Sequence, residues 1–264
     1  MSTYELTFRS LDGTPLAGTM TAPSSSPERS VVLVHGGGVT RDEGGFFVRL
    51  ADGLAAAGIA SLRFDLRGHG ASGGRQEEMT LAAVANDVRA ALDEVQAPAT
   101  LIGTSFSGGA CAVVAASYGL RNLVLFNPLL DYKRRFVDEK PYWAADRIDP
   151  EFAALLDRDG YVEHSPTFRL GRALLNEVFH LSARDALARV TVPTLIVHGS
   201  KDTFIDIESS RRAADEVAGE CTLIEIDGAQ HGFAVHDDPG YADPQTQDWQ
   251  ALVIRETATW IAAH

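Results

Sequence analysis

A chain of 264 residues, 45% of them hydrophobic, is long enough to bury a substantial core as one large domain. Its formal net charge of -13 argues against nucleic acid or an anionic membrane as a partner, since either would be repelled at long range. Residues 1–10 lack the pattern of a secretory signal, no apolar run is long enough to cross a bilayer, and Cys111 and Cys221 lie far apart inside apolar elements. The expectation is a cytoplasmic protein with two buried thiols; sequence spacing alone leaves a disulfide open, as it does the choice between monomer and homodimer.

Tyr4, Leu6 and Phe8 alternate with Glu5, Thr7 and Arg9, and Asp12-Gly13 offers a turn before a second short strand over 16–21. An opening antiparallel hairpin follows from this pattern. After a Pro/Ser-rich connection over 22–30, strand and helix alternate. A solid apolar strand over 31–34 runs into His35-Gly36-Gly37-Gly38, a helix covers 46–57 and a strand 59–64. Over 80–96, Leu81, Val84, Val88, Leu92 and Val95 share one helical face. An apolar run over 99–102 breaks at Gly103, a small-residue helix spans 108–118, and the next strand covers 122–126. Units of this kind build a mostly parallel sheet with helices on both faces, and reactive groups collect at the C-terminal ends of its strands.

Between 129 and 191 the rhythm stops. Tyr132, Phe136, Tyr142, Trp143, Tyr161, Phe168 and Phe179 crowd together there with Lys133, Arg134 and Arg135. This segment reads as an inserted cap on an α/β core made of residues 1–128 and 192–264. The alternation resumes with a strand over 194–198, a helix over 209–217, a strand over 222–226 and a closing amphipathic helix over 247–262.

The stretch Gly103-Thr104-Ser105-Phe106-Ser107-Gly108-Gly109 is a strand, sharp turn and helix with a serine at the apex. Such a turn holds the hydroxyl of Ser105 clear of the backbone so that it can approach a carbonyl. Small residues are needed two places either side, a requirement that Gly103 meets fully and Ser107 only in part, because glycine is commoner there. A hydroxyl needs a base to take its proton and a third group to orient that base. His231 follows the last strand, and Asp202 follows the strand before it, with Asp206 and Asp131 as alternative acids.

The order Ser, Asp, His on such a chain resembles the α/β-hydrolase family over nearly its whole length. His35-Gly36-Gly37 is similar to the family's oxyanion loop, and Asp65-Leu66-Arg67-Gly68-His69-Gly70-Ala71-Ser72 to its D-x-R-G-H-G-x-S segment. The resemblance implies Ser105 as nucleophile, His231 as general base then acid, and Asp202 as the group that fixes the imidazole's tautomer. It implies an oxyanion hole from the backbone N–H groups of Gly37, with Gly38 second, and Phe106. His35 and His69 are expected to pin loops, while His164, His180 and His236 carry no partner pattern. The cluster His231, His236, Asp237 and Asp238 matches no metal-ligand spacing and reads as a solvated acidic loop, and no cofactor is implied.

An aromatic cap would make an apolar pocket that excludes water from the acyl group, and Tyr132, Trp143 and Phe233 are expected to line it. Arg41-Asp42-Glu43, Gly160-Tyr161-Val162 and the run over 171–177 look like the subgroup of bacterial cinnamoyl (feruloyl) and related small carboxylesterases. The expected reaction is hydrolysis of a small-molecule carboxylic ester, with an acyl thioester or binding without turnover as the alternatives. The basic run Lys133-Arg134-Arg135 either grips an anionic substrate group or pairs with nearby Asp138 and Glu139.

Overall fold

The computed structural model describes residues 1–264. Its first half alternates strand and helix after an opening hairpin: β1 (Ser2–Arg9), β2 (Pro15–Ala22), β3 (Arg29–Val34), α1 (Phe46–Ala56), β4 (Ile59–Phe64), α2 (Leu81–Asp93), β5 (Thr100–Thr104), α3 (Ser107–Ala115) and β6 (Asn122–Phe126). An excursion follows, with a π-helical turn over Arg134–Asp138, β7 (Trp143–Ala144), β8 (Arg147–Ile148), α4 (Pro150–Arg158), β9 (Tyr161–Ser165), β10 (Phe168–Gly171), α5 (Arg172–Glu177) and α6 (Ala183–Leu187). The alternation then closes with β11 (Thr194–Gly199), α7 (Ile207–Glu216), β12 (Cys221–Ile226) and α8 (Pro244–Ala263).

Eight strands form one sheet in the order β1-β2-β4-β3-β5-β6-β11-β12. β2 pairs antiparallel with β1 and β4, and every other pairing is parallel. The expected mostly parallel α/β-hydrolase sheet with an antiparallel N-terminal hairpin is therefore what the chain builds. β3, β5, β6 and β11 are buried almost throughout, which explains why they read as unbroken apolar runs, whereas the edge strand β1 is largely exposed and buries only Phe8, with Leu6 half-covered.

Helices cover both faces. On one, Leu81, Val84, Val88 and Leu92 of α2 pack beside α3, and the Thr80 side chain caps α2 by accepting the N–H of Ala83. On the other, Phe46, Leu50 and Leu54 of α1 meet Val253 and Ile261 of α8. The excursion leaves after β6 and returns at β11, and these two strands lie side by side with Leu123 opposite Thr194. It packs partly on itself, with Tyr142 stacked on Phe152 at 4.2 Å, and partly on the ends of the core strands through Phe136 and Phe168. No helix is long and apolar enough to cross a membrane, and both cysteines are free.

Candidate active site

Ser105 sits where β5 turns into α3, at a φ of +50°. L side chains rarely adopt that conformation, and it holds only because the surroundings fix it. The Ser105 N–H donates to the carbonyl of Phe126 on β6, and its own carbonyl accepts from Gly108 and Leu129. A Cβ on Gly103 would come within 2.6 Å of Cys111 Sγ, so strand end and helix start do touch here.

The departure from the commoner pattern is absorbed by hydrogen bonding. Ser107 is fully buried, and its Oγ accepts the N–H of Thr104 at 3.1 Å while lying 2.8 Å from the carbonyl of Val34 on β3. The extra hydroxyl thus tethers the elbow to the neighbouring strand.

His231 and Asp202 reach the elbow from the loops after β12 and β11. Ser105 Oγ–H donates to His231 Nε2 at 3.0 Å, and His231 Nδ1–H donates to Asp202 Oδ2 at 2.7 Å. A carboxylate only accepts, so the proton lies on Nδ1 and leaves Nε2 basic toward the serine. Burial by itself would raise the Asp202 carboxyl, but hydrogen bonds from His198, His231 and the Ile205 amide hold it well below the usual carboxylate range. The alternative acids are occupied elsewhere as helix caps. Asp131 Oδ1 accepts the N–H of Arg134, and Asp206 Oδ1 that of Glu208.

In the glycine loop two of the three backbone donors are taken by side chains. Gly36 N–H donates to Glu43 Oε2 at 2.8 Å and Gly38 N–H to His69 Nε2 at 3.0 Å. The Gly37 N–H between them has no protein acceptor, nor does that of Phe106. Gly38, the second choice for the oxyanion hole, is thus committed to a loop contact. Phe168 closes over Gly37 so tightly that a Cβ there would meet its ring at 2.8 Å.

His35 and His69 hold this loop in place. His35 Nδ1–H donates to the Gly36 carbonyl and Nε2 accepts from Leu66, while His69 Nδ1–H donates to the Arg67 carbonyl. Burial pushes the His35 imidazole down to about 3 and lowers that of His69, which keeps both neutral as these bonds require.

The expected pocket residues lie elsewhere. The Tyr132 hydroxyl is drawn inward to donate to the Phe106 carbonyl at 2.6 Å, beneath the elbow. Trp143, in the β7–β8 hairpin, tilts against Phe179 at 5.7 Å. Phe233 faces the opposite side of the sheet against Phe46 and Phe126, because positive φ at Gly232 and at Phe233 itself reverses the chain just after His231. The pocket at Ser105, about 50 Å³, is lined instead by Gly37, Phe106, Leu129, Arg135, Phe136, His164, Ser165, Phe168, Phe204 and Ile205. Phe204 also covers the His231 ring, with centroids 5.1 Å apart.

The basic run is split by its pairing. Lys133 Nζ sits between Asp138 and Asp146 at 2.7 and 2.8 Å, and Arg134 pairs with Glu139 at 2.9 Å. Arg135 lies over the Phe204 ring at 4.3 Å and lines the pocket.

Two polar residues behind the site went unread in the sequence. His198, fully buried on β11, donates Nε2–H to the Ile205 carbonyl at 2.9 Å and stands 3.3 Å from Asp202 Oδ2, while Nδ1 accepts from the Ser210 hydroxyl. A histidine inside an otherwise apolar strand was the available signal. Glu43, whose carboxylate caps Gly36, is pushed up to about 7 by burial against the lowering influence of the Gly36 N–H and His231. Only its place in Arg41-Asp42-Glu43 set it apart.

Residues 25–238 match the Hydrolase_4 family, described as serine aminopeptidase, S33. The chain belongs to this family. A Mycolicibacterium smegmatis protein named monoacylglycerol lipase is 27% identical, the alignment covering 98% of this chain and 97% of that one. Mouse mitochondrial palmitoyl-protein thioesterase ABHD10 is 24% identical over 61% of this chain and 54% of its own. Among solved structures, Est1E from Butyrivibrio proteoclasticus with ferulic acid bound superimposes with a TM-score of 0.75 at 20% identity, covering 96% and 99% of the two chains. Mouse ABHD10 does so with a TM-score of 0.77 at 18% identity, covering 98% and 99%. These likenesses show the α/β-hydrolase fold. By its family the chain is a hydrolase.

Proposed function

We propose that this chain hydrolyses a small carboxylic ester through an acyl-enzyme formed on Ser105, beneath a cap made by residues 129–191. In the first half-reaction Ser105 Oγ bonds to the acyl carbon as its proton passes to His231 Nε2. The carbonyl π electrons move onto oxygen, where the N–H groups of Gly37 and Phe106 stabilise the charge. Collapse expels the alcohol, which takes the proton from His231; water then repeats the sequence, giving the carboxylic acid and free Ser105. Asp202 keeps Nδ1 protonated and stabilises the imidazolium.

The observation that carries this reading is the unbroken line from Ser105 to His231 to Asp202, at 3.0 and 2.7 Å, starting from a serine held at positive φ. The relatives named monoacylglycerol lipase and palmitoyl-protein thioesterase favour acyl transfer to water from an oxygen or a sulfur ester. The two free thiols suit the reducing interior of a cell.

A fluorophosphonate probe is expected to label Ser105, and labelling to vanish in Ser105→Ala together with about 10⁶ in kcat. Phenyl esters, acyl thioesters and an aminoacyl p-nitroanilide run side by side separate esterase, thioesterase and peptidase chemistry. A protein that neither takes the label nor turns over any of these would be a binding protein, and the reading would fail.

A further inference from the structure

His164 lines the same pocket as Ser105 but takes no part in the hydrogen-bonded line to Asp202. It stands on β9 at a bulge: Glu163 pairs with Arg169 and Ser165 with Phe168, so the residue between them has no partner on β10. Strict alternation would send residues 164 and 165 to opposite faces of the hairpin, whereas the extra residue lets both reach the pocket. Bulges that re-aim side chains in this way collect beside active sites.

Packing alone fixes the imidazole. Phe136, Phe168 and Phe204 meet it edge to face, with centroids 5.0, 6.0 and 6.5 Å away and planes at 90°, 87° and 87°. Its Nδ1 is buried, and the ring makes no hydrogen bond within the protein. Burial, reinforced by the charges of Lys140 and Arg135, lowers the group to about 4, so the ring is neutral near pH 7. A neutral imidazole offers one donor and one acceptor, and a hydroxyl can meet either, since it both donates and accepts. Among the apolar walls of Phe106, Leu129, Phe136 and Phe168, an unpaired ring nitrogen is the kind of polar group that fixes a ligand's orientation.

The other substituents of the reacting carbon direct the acyl chain here. With that carbon bonded to Ser105 Oγ and its oxygen on the Gly37 and Phe106 N–H groups, the alcohol must face His231 to receive its proton. His231 borders a separate cleft with Gln230, Ala234 and Tyr241 and does not line the Ser105 pocket. The remaining substituent, the acyl chain, falls to that pocket. At about 50 Å³ it has room for about three or four heavy atoms.

We propose that His164 is a specificity-determining residue that hydrogen-bonds a hydroxyl on the acyl portion of the substrate, so that the substrate class is the ester of a short hydroxy acid. This rests on the ester-hydrolase reading above.

The test uses both enantiomers of phenyl lactate and of phenyl 3-hydroxybutyrate, with phenyl propionate and phenyl butyrate as esters of the same length without the hydroxyl. The wild type is expected to favour a hydroxy ester in kcat/KM by about fivefold or more, and to treat its two enantiomers unequally. His164→Phe keeps the aromatic packing and removes both nitrogens, so the preference should disappear; His164→Gln, which can still donate and accept, should keep part of it. Enantiomers have the same intrinsic reactivity, so their comparison on the wild type needs no variant to fold. Equal rates for hydroxy and plain esters and for both enantiomers in the wild type, or a preference unchanged in His164→Phe, would overturn the proposal. With fluorophosphonate labelling and phenyl butyrate turnover intact, only the hydroxy-acid specificity would fall; with neither, the ester-hydrolase reading falls as well.

Discussion

Ser107 Oγ lies 2.8 Å from the carbonyl oxygen of Val34, joining the nucleophile turn to the strand that carries the glycine loop. The position commonly held by glycine has become a tether between the two halves of the proposed oxyanion hole. Because the hydroxyl also accepts the Thr104 N–H, its removal leaves buried groups unsatisfied. Ser107→Ala is therefore expected to cost about 1–3 kcal/mol in urea unfolding. It should also lower kcat severalfold with little change in KM, since the loss is one of alignment.

Gly37 and Phe168 form a second coupled pair. With the ring 2.8 Å from where a Cβ would stand, Gly37→Ala must displace either the aromatic or the loop. Loss of one oxyanion donor costs about 10² to 10³ in kcat, and that is the expected penalty. Adding Phe168→Ala makes room, so the double variant should recover part of the lost rate. Independent, additive losses in steady-state kinetics would contradict the steric coupling.

Asp202 depends on a second histidine. Asp202→Asn is expected to lower kcat by about 10⁴, as for the orienting carboxylate of other triads, whereas Asp131→Asn, which touches only a helix cap, should leave turnover near wild type. His198→Ala removes a buried donor beside Asp202 and the bond to Ile205, and about a tenfold fall in kcat is expected. His198→Gln, which can still donate, should recover more of the rate than alanine does.

Glu43 predicts a pH dependence of stability. Its folded value of about 7 lies above the ordinary 4.5, so between those values the folded protein holds a proton that the unfolded chain releases. Stability from this group is complete below about pH 4.5, declines as pH rises to about 7, and is level above that. Glu43→Gln removes the titration. The stability difference between variant and wild type, from urea midpoints, should shift in the variant's favour by about 3 kcal/mol across that window. A difference that does not change with pH would show that Glu43 is not buried as acid.

How far the sequence announces this site differs by kind of residue. The elbow, the glycine loop and the two late loops were legible because each chemical role imposes a local pattern: a small-residue turn, consecutive glycines, a polar residue just beyond an apolar strand. The strands of the sheet were legible for a related reason, since burial on both faces leaves unbroken apolar runs. The pocket was not. Tyr132, Trp143 and Phe233 were chosen for being aromatic and near the right loops, yet direction is set by backbone details such as the reversal at Gly232 and Phe233 and by the reach of the Tyr132 phenol to Phe106. Phe168 and Phe204 took those places through packing between segments remote in the chain, which no local pattern encodes. His198 and Glu43 escaped for the complementary reason that their partners are supplied only by the fold.

Because Phe126 and Val197 are neighbours across the sheet while the whole excursion hangs between their strands, the segment proposed as the cap enters and leaves without interrupting the strand pairing. Exchanging it would leave the hydrogen-bonded ladder untouched and the hydrolytic engine in place, provided the replacement supplied a phenol under Phe106 and a ring over Gly37. If the proposed cap sets selectivity, grafting a different one is expected to change which substrates are taken and leave the chemistry beneath as it is.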